Sequence, residues 1–400
     1  MIGIAVTGLG LVTAHGDTPD AAFAALMRGE SAVQPVFPEL PKPAAAATVA
    51  FGQTRWFTKL QLAGVDRVSQ LAVAAADLAM KDAGGSGDVD PERLGVYVGC
   101  GMGGAAALEA AYRSGGRVPP LTIPAFMPNA PAAHVAMRQH ALGPVLTYSV
   151  ACASSAVAIA EAAKAVQSGE VDVAIAGGSE ALIVPGVVLA WQAMQTLASF
   201  APGEAARSVR PFSIDRTGFA LGEGAAFVIL ESAERAKRRG ARVYAHLTGW
   251  GISCDATHLT KPDVPGQTRA LRAALRRADV QPREVGYCNA HGTATRIGDV
   301  IERDALAEVW GKDLDHLSVS STKALHGHLL GAGGALEAAI TVLALHHRQL
   351  PPNAYCTEID PACRMNLVTR TGVAAPQLEV ALSNSFAFGG TNAVLVFQRA

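Results

Sequence analysis

The chain has 400 residues, 50% of them hydrophobic and only 17% charged, with a formal net charge of −1. That length admits one large domain or two ordinary ones with a deep core. The near-neutral balance excludes a strongly basic surface able to hold a phosphate backbone, so nucleic acid is not an expected partner.

Mean hydropathy is +0.24, yet no stretch reaches the roughly 18 uninterrupted apolar residues of a membrane span. The opening Met1-Ile-Gly-Ile-Ala-Val-Thr-Gly-Leu-Gly10 has no basic segment before its apolar part and reads as a first buried strand, not a secretory leader. A strand is predicted over 3–7, followed by an irregular Pro- and Ala-rich excursion over 31–56 and a helix over 68–82. Strands follow at 94–99 and 145–150, then a helix over 154–168, a strand at 171–176, a strand at 225–231 and a short helix over 233–239. Further strands fall at 245–251, 286–290, 317–320, 380–383 and 393–398, with helices over 267–278, 300–309 and 331–345. Alternation of this kind is the signature of an α/β protein.

The order of strand, small-residue motif and Gly/Ala-rich helix occurs around 152–168 and recurs around 320–345, which points to two related halves. The basic turn Lys237-Arg-Arg-Gly240 falls between them, giving halves of 1–240 and 241–400. No linker-like tract separates these, so they are expected to pack as one body. The cysteines at 100, 152, 254, 288, 356 and 363 show neither CxxC pairs nor zinc spacing. All but Cys152 read as small core fillers in a reducing, cytoplasmic compartment, and no metal is expected.

Cys152 sits where a β-branched run, Val145-Leu-Thr-Tyr-Ser-Val150, gives way to small residues and a helix. A thiol at such a corner feels the positive end of the helix dipole, which favours the nucleophilic thiolate. Two histidine motifs answer it downstream: Asn289-Ala-His-Gly-Thr293, and Lys323-Ala-Leu-His-Gly-His-Leu-Leu-Gly331. A lone histidine is ordinarily a satisfied interior residue. Here, His291 precedes a Gly-Thr-Ala-Thr turn and His328 is bracketed by glycine-rich sequence, both patterns of close backbone approach to a ligand. One cysteine, two histidines and a lysine together suggest covalent acyl transfer.

These motifs resemble the β-ketoacyl-[acyl-carrier-protein] synthases, condensing enzymes of the thiolase superfamily, over essentially the whole chain. The resemblance is carried by Ala151-Cys-Ala-Ser-Ser155, Asn289-Ala-His-Gly-Thr293 with Gly298-Asp299, and Ser321-Thr-Lys323 with Gly327-His-Leu-Leu-Gly331. Two further blocks join them: Arg210-Pro-Phe-Ser-Ile-Asp-Arg216 leading into Gly222-Glu-Gly-Ala225, and Ser383-Asn-Ser-Phe-Ala-Phe-Gly-Gly-Thr-Asn392. It implies a thiolase fold of two similar halves in five αβαβα layers. It also implies decarboxylative condensation of an acyl group held on Cys152 with a malonyl thioester, in fatty-acid elongation or, alternatively, in a type II polyketide or aryl-polyene pathway.

By the same resemblance Cys152, His291, His328 and Lys323 are catalytic, and Phe388 and Gly389 form the oxyanion and gating loop. Thr293, Thr295, Met102 and Phe386 contact substrate, and Glu337 and Glu302 belong to a buried ion pair with Lys323. The residue-level alternatives stay open: a purely structural ion pair, and ordinary turn hydroxyls at 293 and 295. No cofactor is implied beyond the phosphopantetheine of an acyl carrier protein, which Lys59, Arg67, Arg207 and Arg210 are placed to meet. A homodimer is implied, or a heterodimer with a related subunit.

Two positions depart from the family pattern. Ala387 stands where glycine is usual beside Phe388, which implies a stiffer gate. His326 stands where threonine is common, either extending the polar network or facing away. A thiolase would carry a second cysteine near its C-terminus, where this chain has Phe388-Gly-Gly390, and a non-catalytic partner subunit would lack Cys152.

Overall fold

The computed structural model describes residues 3–85 and 89–400, so Met1 and Ile2 of the expected first strand lie outside the described residues. The first half of the chain contributes β1 (Ile4–Val12), β2 (Leu94–Gly99), β3 (Val145–Tyr148), β4 (Val173–Glu180) and β5 (Gly224–Ser232). The second contributes β6 (Ala245–Cys254), β7 (Tyr287–Asn289), β8 (Ser318–Ser320), β9 (Val380–Phe386) and β10 (Thr391–Arg399). Across the sheet they run β8-β7-β9-β10-β6-β1-β5-β4-β2-β3.

Outward from the middle, each half has one order: its first strand, then its fifth, fourth, second and third. The senses also match, two antiparallel pairings followed by two parallel ones. The halves join edge to edge, Ile4–Val6 against Ala245–Leu247, through three antiparallel pairs.

The helices complete the repeat. α1 (Arg67–Asp82) and α3 (Val264–Ala278) each follow the first strand of a half, and α2 (Ser154–Ser168) and α5 (Gly333–His347) each follow the third. Every residue of α5 from Gly333 to Leu345 is buried, the mark of a helix enclosed on all sides. α2 and α5 pack on one another and reach strands of both halves, while α1 covers the outer face of one half and α3, with α4 (Arg296–Trp310), covers the other. The layers are therefore αβαβα, as expected. Among the described residues no helix is long and apolar enough to cross a membrane.

Several elements differ from expectation. The stretch 31–56 is not irregular throughout: Val33–Val36 pairs with Ala44–Ala47, which pairs in turn with Leu221–Gly222. An alanine run carries no β-branched signal, and its partner lies far along the chain. β4 continues through Gly177-Gly-Ser-Glu180, residues poor in strand propensity but required by close packing. A Cβ on Gly178 would lie 2.6 Å from Ser155 Cβ. The expected strand at 145–150 stops at Tyr148, and the helix predicted from 331 begins as a 3-10 turn, Leu330–Ala332. Helices at Pro19–Met27, Ala105–Arg113, Ala130–Gln139 and Pro185–Ala193 are additional to those predicted from the sequence.

Both outer helices cross their strands at a glycine. A Cβ on Gly10 would sit 2.0 Å from the carbonyl oxygen of Ala75 in α1, and one on Gly251 would sit 2.0 Å from that of Ala270 in α3. Gly10→Val and Gly251→Val should each destabilise the fold by about 1–3 kcal/mol through overpacking. Urea unfolding with an unchanged m-value measures this, and an unshifted midpoint would contradict the close crossing.

Candidate active site

Beyond β3 the chain turns sharply at Ala151, whose φ of 49° lies in the left-handed region that an alanine enters only when held there. Ser154 provides the hold: its Oγ accepts from Val150 N–H at 2.9 Å and donates to the Ala151 carbonyl at 2.6 Å. Cys152 thus stands on a single 3-10 turn, Ala151–Ala153, directly ahead of α2.

The second central helix begins alongside. Ser155 Oγ accepts from Ala335 N–H at 2.8 Å, and a Cβ on Gly334 would meet Ala156 Cβ at 2.8 Å. His328, just ahead of α5, is pinned at its backbone, its N–H donating to Ala220 O at 2.7 Å and its carbonyl accepting from Gly222 N–H at 2.9 Å. His328 Nε2 consequently lies 3.0 Å from Cys152 Sγ. The His291 ring is 5.5 Å from that of His328, edge to face, and the sulfur and a ring nitrogen from each histidine lie within 4.8 Å of one another.

The loop bearing His291 is braced from behind. Glu302, on α4, accepts from the backbone N–H of His291 at 2.8 Å, from Gly292 at 2.7 Å and from Asn384 Nδ2 at 3.0 Å. Among the described residues it forms no ion pair with Lys323, so the expected pairing is corrected: Glu302 braces a backbone turn. Glu337 does pair with Lys323, both fully buried. The 210–216 block acts in the same supporting way. Arg216, 3% exposed, donates to the carbonyls of Thr295 at 3.2 Å and Arg296 at 2.8 Å and pairs with Asp360 at 2.6 Å. This holds Thr293 and Thr295, whose hydroxyls are 3.0 Å apart, at the cavity wall.

Burial and the Lys323 cation together hold the His291 and His328 imidazoles well below their usual range, so both rings are neutral at neutral pH. The backbone N–H of Leu330 points at His328 Nδ1, 3.4 Å away. A ring nitrogen that accepts there leaves the proton on Nε2, directed at the sulfur. Burial also pushes the Cys152 thiol up to about 12, against the pull of Lys323 and of the Phe388 N–H. The expected preference for thiolate is therefore corrected. The helix start is where the sequence places it, but loss of water around the sulfur outweighs it.

Cys152 and both histidines open on a cavity of about 390 Å³, whose other walls include Thr293, Thr295, Phe386 and Phe388. An aromatic chain closes one side. Phe388 stacks on Trp191 at 6.1 Å, Trp191 meets Phe219 edge to face at 5.4 Å, and Phe219 meets His328 at 5.1 Å. Phe386 packs near His291, 6.1 Å between rings. Gly389 has a φ of 84°, and its N–H donates to Leu259 O at 2.7 Å, tying the Phe388 loop to the segment opposite.

Other expected residues fall elsewhere. Met102 is not in the wall of this cavity; it is 47% exposed on a neighbouring loop. His326 faces away, bonded to Gly327 O at 2.7 Å and Thr322 Oγ1 at 2.9 Å. Ala387 lies outside the left-handed region, so alanine imposes no strain on the loop in this conformation. Arg67 is engaged by Glu223 through both Nε and Nη2, at 2.8 and 2.6 Å, which removes it from the carrier-docking residues. Trp191, Phe219 and Glu180 were missed. Only Glu180, an acid closing a Gly-Gly-Ser run in β4, left a visible signal.

A nucleophilic sulfur, two neutral N–H donors and a mostly apolar cavity suit covalent capture of an acyl group and stabilisation of oxyanions. Comparison with known proteins agrees with that chemistry. Residues 1–236 match the family model "Beta-ketoacyl synthase, N-terminal domain" and residues 244–357 match "Beta-ketoacyl synthase, C-terminal domain". Nodulation protein E of Rhizobium meliloti is 40% identical over 404 residues, covering 99% of each chain. The 3-oxoacyl-[acyl-carrier-protein] synthase 2 of Staphylococcus aureus (strain N315) is 35% identical over 410 residues, covering 99% of this chain and 98% of its own. Among solved structures, the ishigamide ketosynthase/chain length factor superposes with a TM-score of 0.92 at 31% identity, covering 100% of this chain and 99% of its own.

The thiol's raised pKa has a direct consequence. Thiolate grows with pH while the thiol remains mostly protonated, so alkylation of Cys152 by iodoacetamide should accelerate about tenfold per pH unit from 7 to 9. Peptide mass spectrometry on Cys152 follows the rate, and a plateau reached below pH 8 would show a thiolate already formed at rest.

Proposed function

Because this chain belongs to the β-ketoacyl synthase family, we propose that it performs a two-stage decarboxylative condensation on carrier-bound acyl groups through Cys152, His291 and His328. The observation that carries this reading is the 3.0 Å approach of His328 Nε2 to the Cys152 sulfur, with the His291 ring beside it. In the first stage the sulfur attacks the acyl thioester. A C–S bond forms to Cys152, the carrier thiol leaves and takes up the thiol's proton. The Cys152 and Phe388 amides receive the developing oxyanion, and a donor in that role contributes about 3 kcal/mol.

In the second stage a malonyl thioester loses carbon dioxide. The electron pair left behind forms an enolate whose oxygen accepts from the Nε2–H groups of His291 and His328. Neutral imidazoles stabilise the oxygen without handing a proton to the nucleophilic carbon. That carbon attacks the acyl-cysteine, a C–C bond forms, the C–S bond breaks, and the sulfur is reprotonated. Burial and the Lys323 charge together keep both rings neutral, and Glu337 offsets that buried charge. Thr293 and Thr295 sit at the wall where a phosphopantetheine arm passes. Exposed Lys261, Arg296 and Ile297 all line the same cavity, a surface suited to an acidic carrier protein.

Among possible substrates we favour a specialised acyl chain, as in type II polyketide or aryl-polyene assembly, over housekeeping fatty-acid elongation. The identity to nodulation protein E exceeds that to the fatty-acid-type synthase, and the superposition on the ishigamide ketosynthase spans the chain. The division into halves at 240/241 is carried with the same reading.

A homodimer is proposed through β3, the terminal strand of the sheet, whose Val145 and Leu146 are 38% and 45% exposed. An unpaired apolar edge invites strand pairing. Wild-type protein should run as a dimer in light scattering and Leu146→Asp as a monomer; a monomeric wild type would sink the proposal.

Cys152→Ala should give no acyl adduct in intact mass spectra, while His291→Ala and His328→Ala still load but lose malonyl decarboxylation by about 100-fold or more. An adduct on another residue, or condensation by the Cys152→Ala protein, would overturn the mechanism. In an acyl-carrier panel, unsaturated or β-keto chains should react faster than saturated chains of equal length. The reverse order would return the chain to fatty-acid elongation.

A further inference from the structure

We propose that Glu180 is a positioning residue for His328, holding the turn behind the histidine and, from the other side, the loop that bears Met102. The inference rests on the condensing reading above. Glu180 closes β4, with its side chain fully enclosed at 0% exposure. Oε2 accepts from the backbone N–H of Gly101 at 2.8 Å and of Gly331 at 3.0 Å. Oε1 accepts from Met102 N–H at 3.3 Å and faces the Cys100 thiol at 3.9 Å. Among the described residues no cation pairs with it within 4 Å, so amides from two distant segments hold its oxygens. A buried carboxylate without a counter-ion is costly and is retained where its geometry is needed.

That geometry is needed at Leu330. Its φ of 47° is left-handed, and its N–H is the donor that directs the His328 tautomer. A non-glycine residue stays in that region only where its surroundings over-determine it. The next residue, Gly331, supplies the constraint. It is gripped by Glu180 and packed so closely that a Cβ would lie 2.4 Å from Gly101 N. Glu180 therefore fixes Gly331, Gly331 fixes the Leu330 amide, and that amide leaves the proton of His328 on Nε2. The corner carrying Cys152 touches this chain of contacts through Ser149, whose Oγ donates to the Gly101 carbonyl at 3.0 Å, but its turn at Ala151 is held separately by Ser154.

The two stages of the reaction separate the consequences. Glu180→Ala removes the grip on Gly331 and should slow malonyl decarboxylation about 10- to 100-fold, the scale of a misplaced catalytic group. Acylation of Cys152 should stay within about threefold of wild type. Glu180→Gln, with its oxygen toward Gly101 and Gly331, keeps that grip but sets an NH₂ against the Met102 N–H. Its decarboxylation should stay within about threefold of wild type.

Carbon dioxide release from a malonyl-carrier thioester and the Cys152 adduct mass are measured on all three proteins, with thermal unfolding alongside. Parallel loss of both stages in either variant, or wild-type decarboxylation in the alanine variant, overturns the assignment. If Glu180→Ala does not fold, Glu180→Asp, whose shorter side chain falls short of Gly331, carries the test, and wild-type decarboxylation by it overturns the assignment. Failure of wild-type protein to load Cys152 would instead overturn the condensing reading.

Discussion

The site depends on how closely the N-termini of the two central helices approach. Ser155 of α2 accepts from Ala335 of α5, and Gly334 and Gly178 leave no space where a Cβ would stand. Each helix is preceded in the chain by one reacting group, Cys152 before α2 and His328 before α5. Pressing the helix starts together therefore presses sulfur and imidazole together. The twofold repetition of strand order makes this possible, because equivalent helices of the two halves must meet at the centre of the body.

A site built in that position is dry, and dryness sets its electrostatics. Water that would solvate a thiolate or an imidazolium is excluded, so the resting groups are neutral and Lys323, paired with Glu337, is the cation whose field reaches them. A low-dielectric surround makes each N–H donor count for more once charge develops on substrate oxygen. The charged supports stand back from the chemistry. Glu302, Asp299 and Glu180 accept from backbone amides, so the turns that present His291 and His328 are braced by buried carboxylates, while a serine hydroxyl braces the Cys152 corner.

Much of this was legible in residue order. The alternating strands and helices and the repeat follow from periodicity and motif order, and the five layers were implied by the family resemblance. Cys152 and His291 stand out at the ends of strands that give way to small residues, and His328 stands out between glycine-rich stretches. What was illegible had a common cause. The strand at Ala44–Ala47 has no side-chain signal, and its partner is at Leu221–Gly222. The glycines of β4 read as a break, yet packing against α2 requires them. Glu302 and Glu337 looked alike as buried acids, and only their neighbours separate a backbone brace from an ion pair. Arg67 reads as a free surface cation because its partner Glu223 lies 156 residues away in the chain.

The sequence by itself determined the class of chemistry, because a nucleophile and its donors are residue types, and it showed the repeated order of strand, motif and helix, because hydrophobic period and turn residues are local. The order of strands across the sheet is not local. Tertiary structure alone decided the protonation of Cys152, the tautomer of His328 and the placing of Met102 outside the cavity wall. Those properties belong to distances between residues far apart in the chain and to the water excluded when they meet, and neither is written in local residue order.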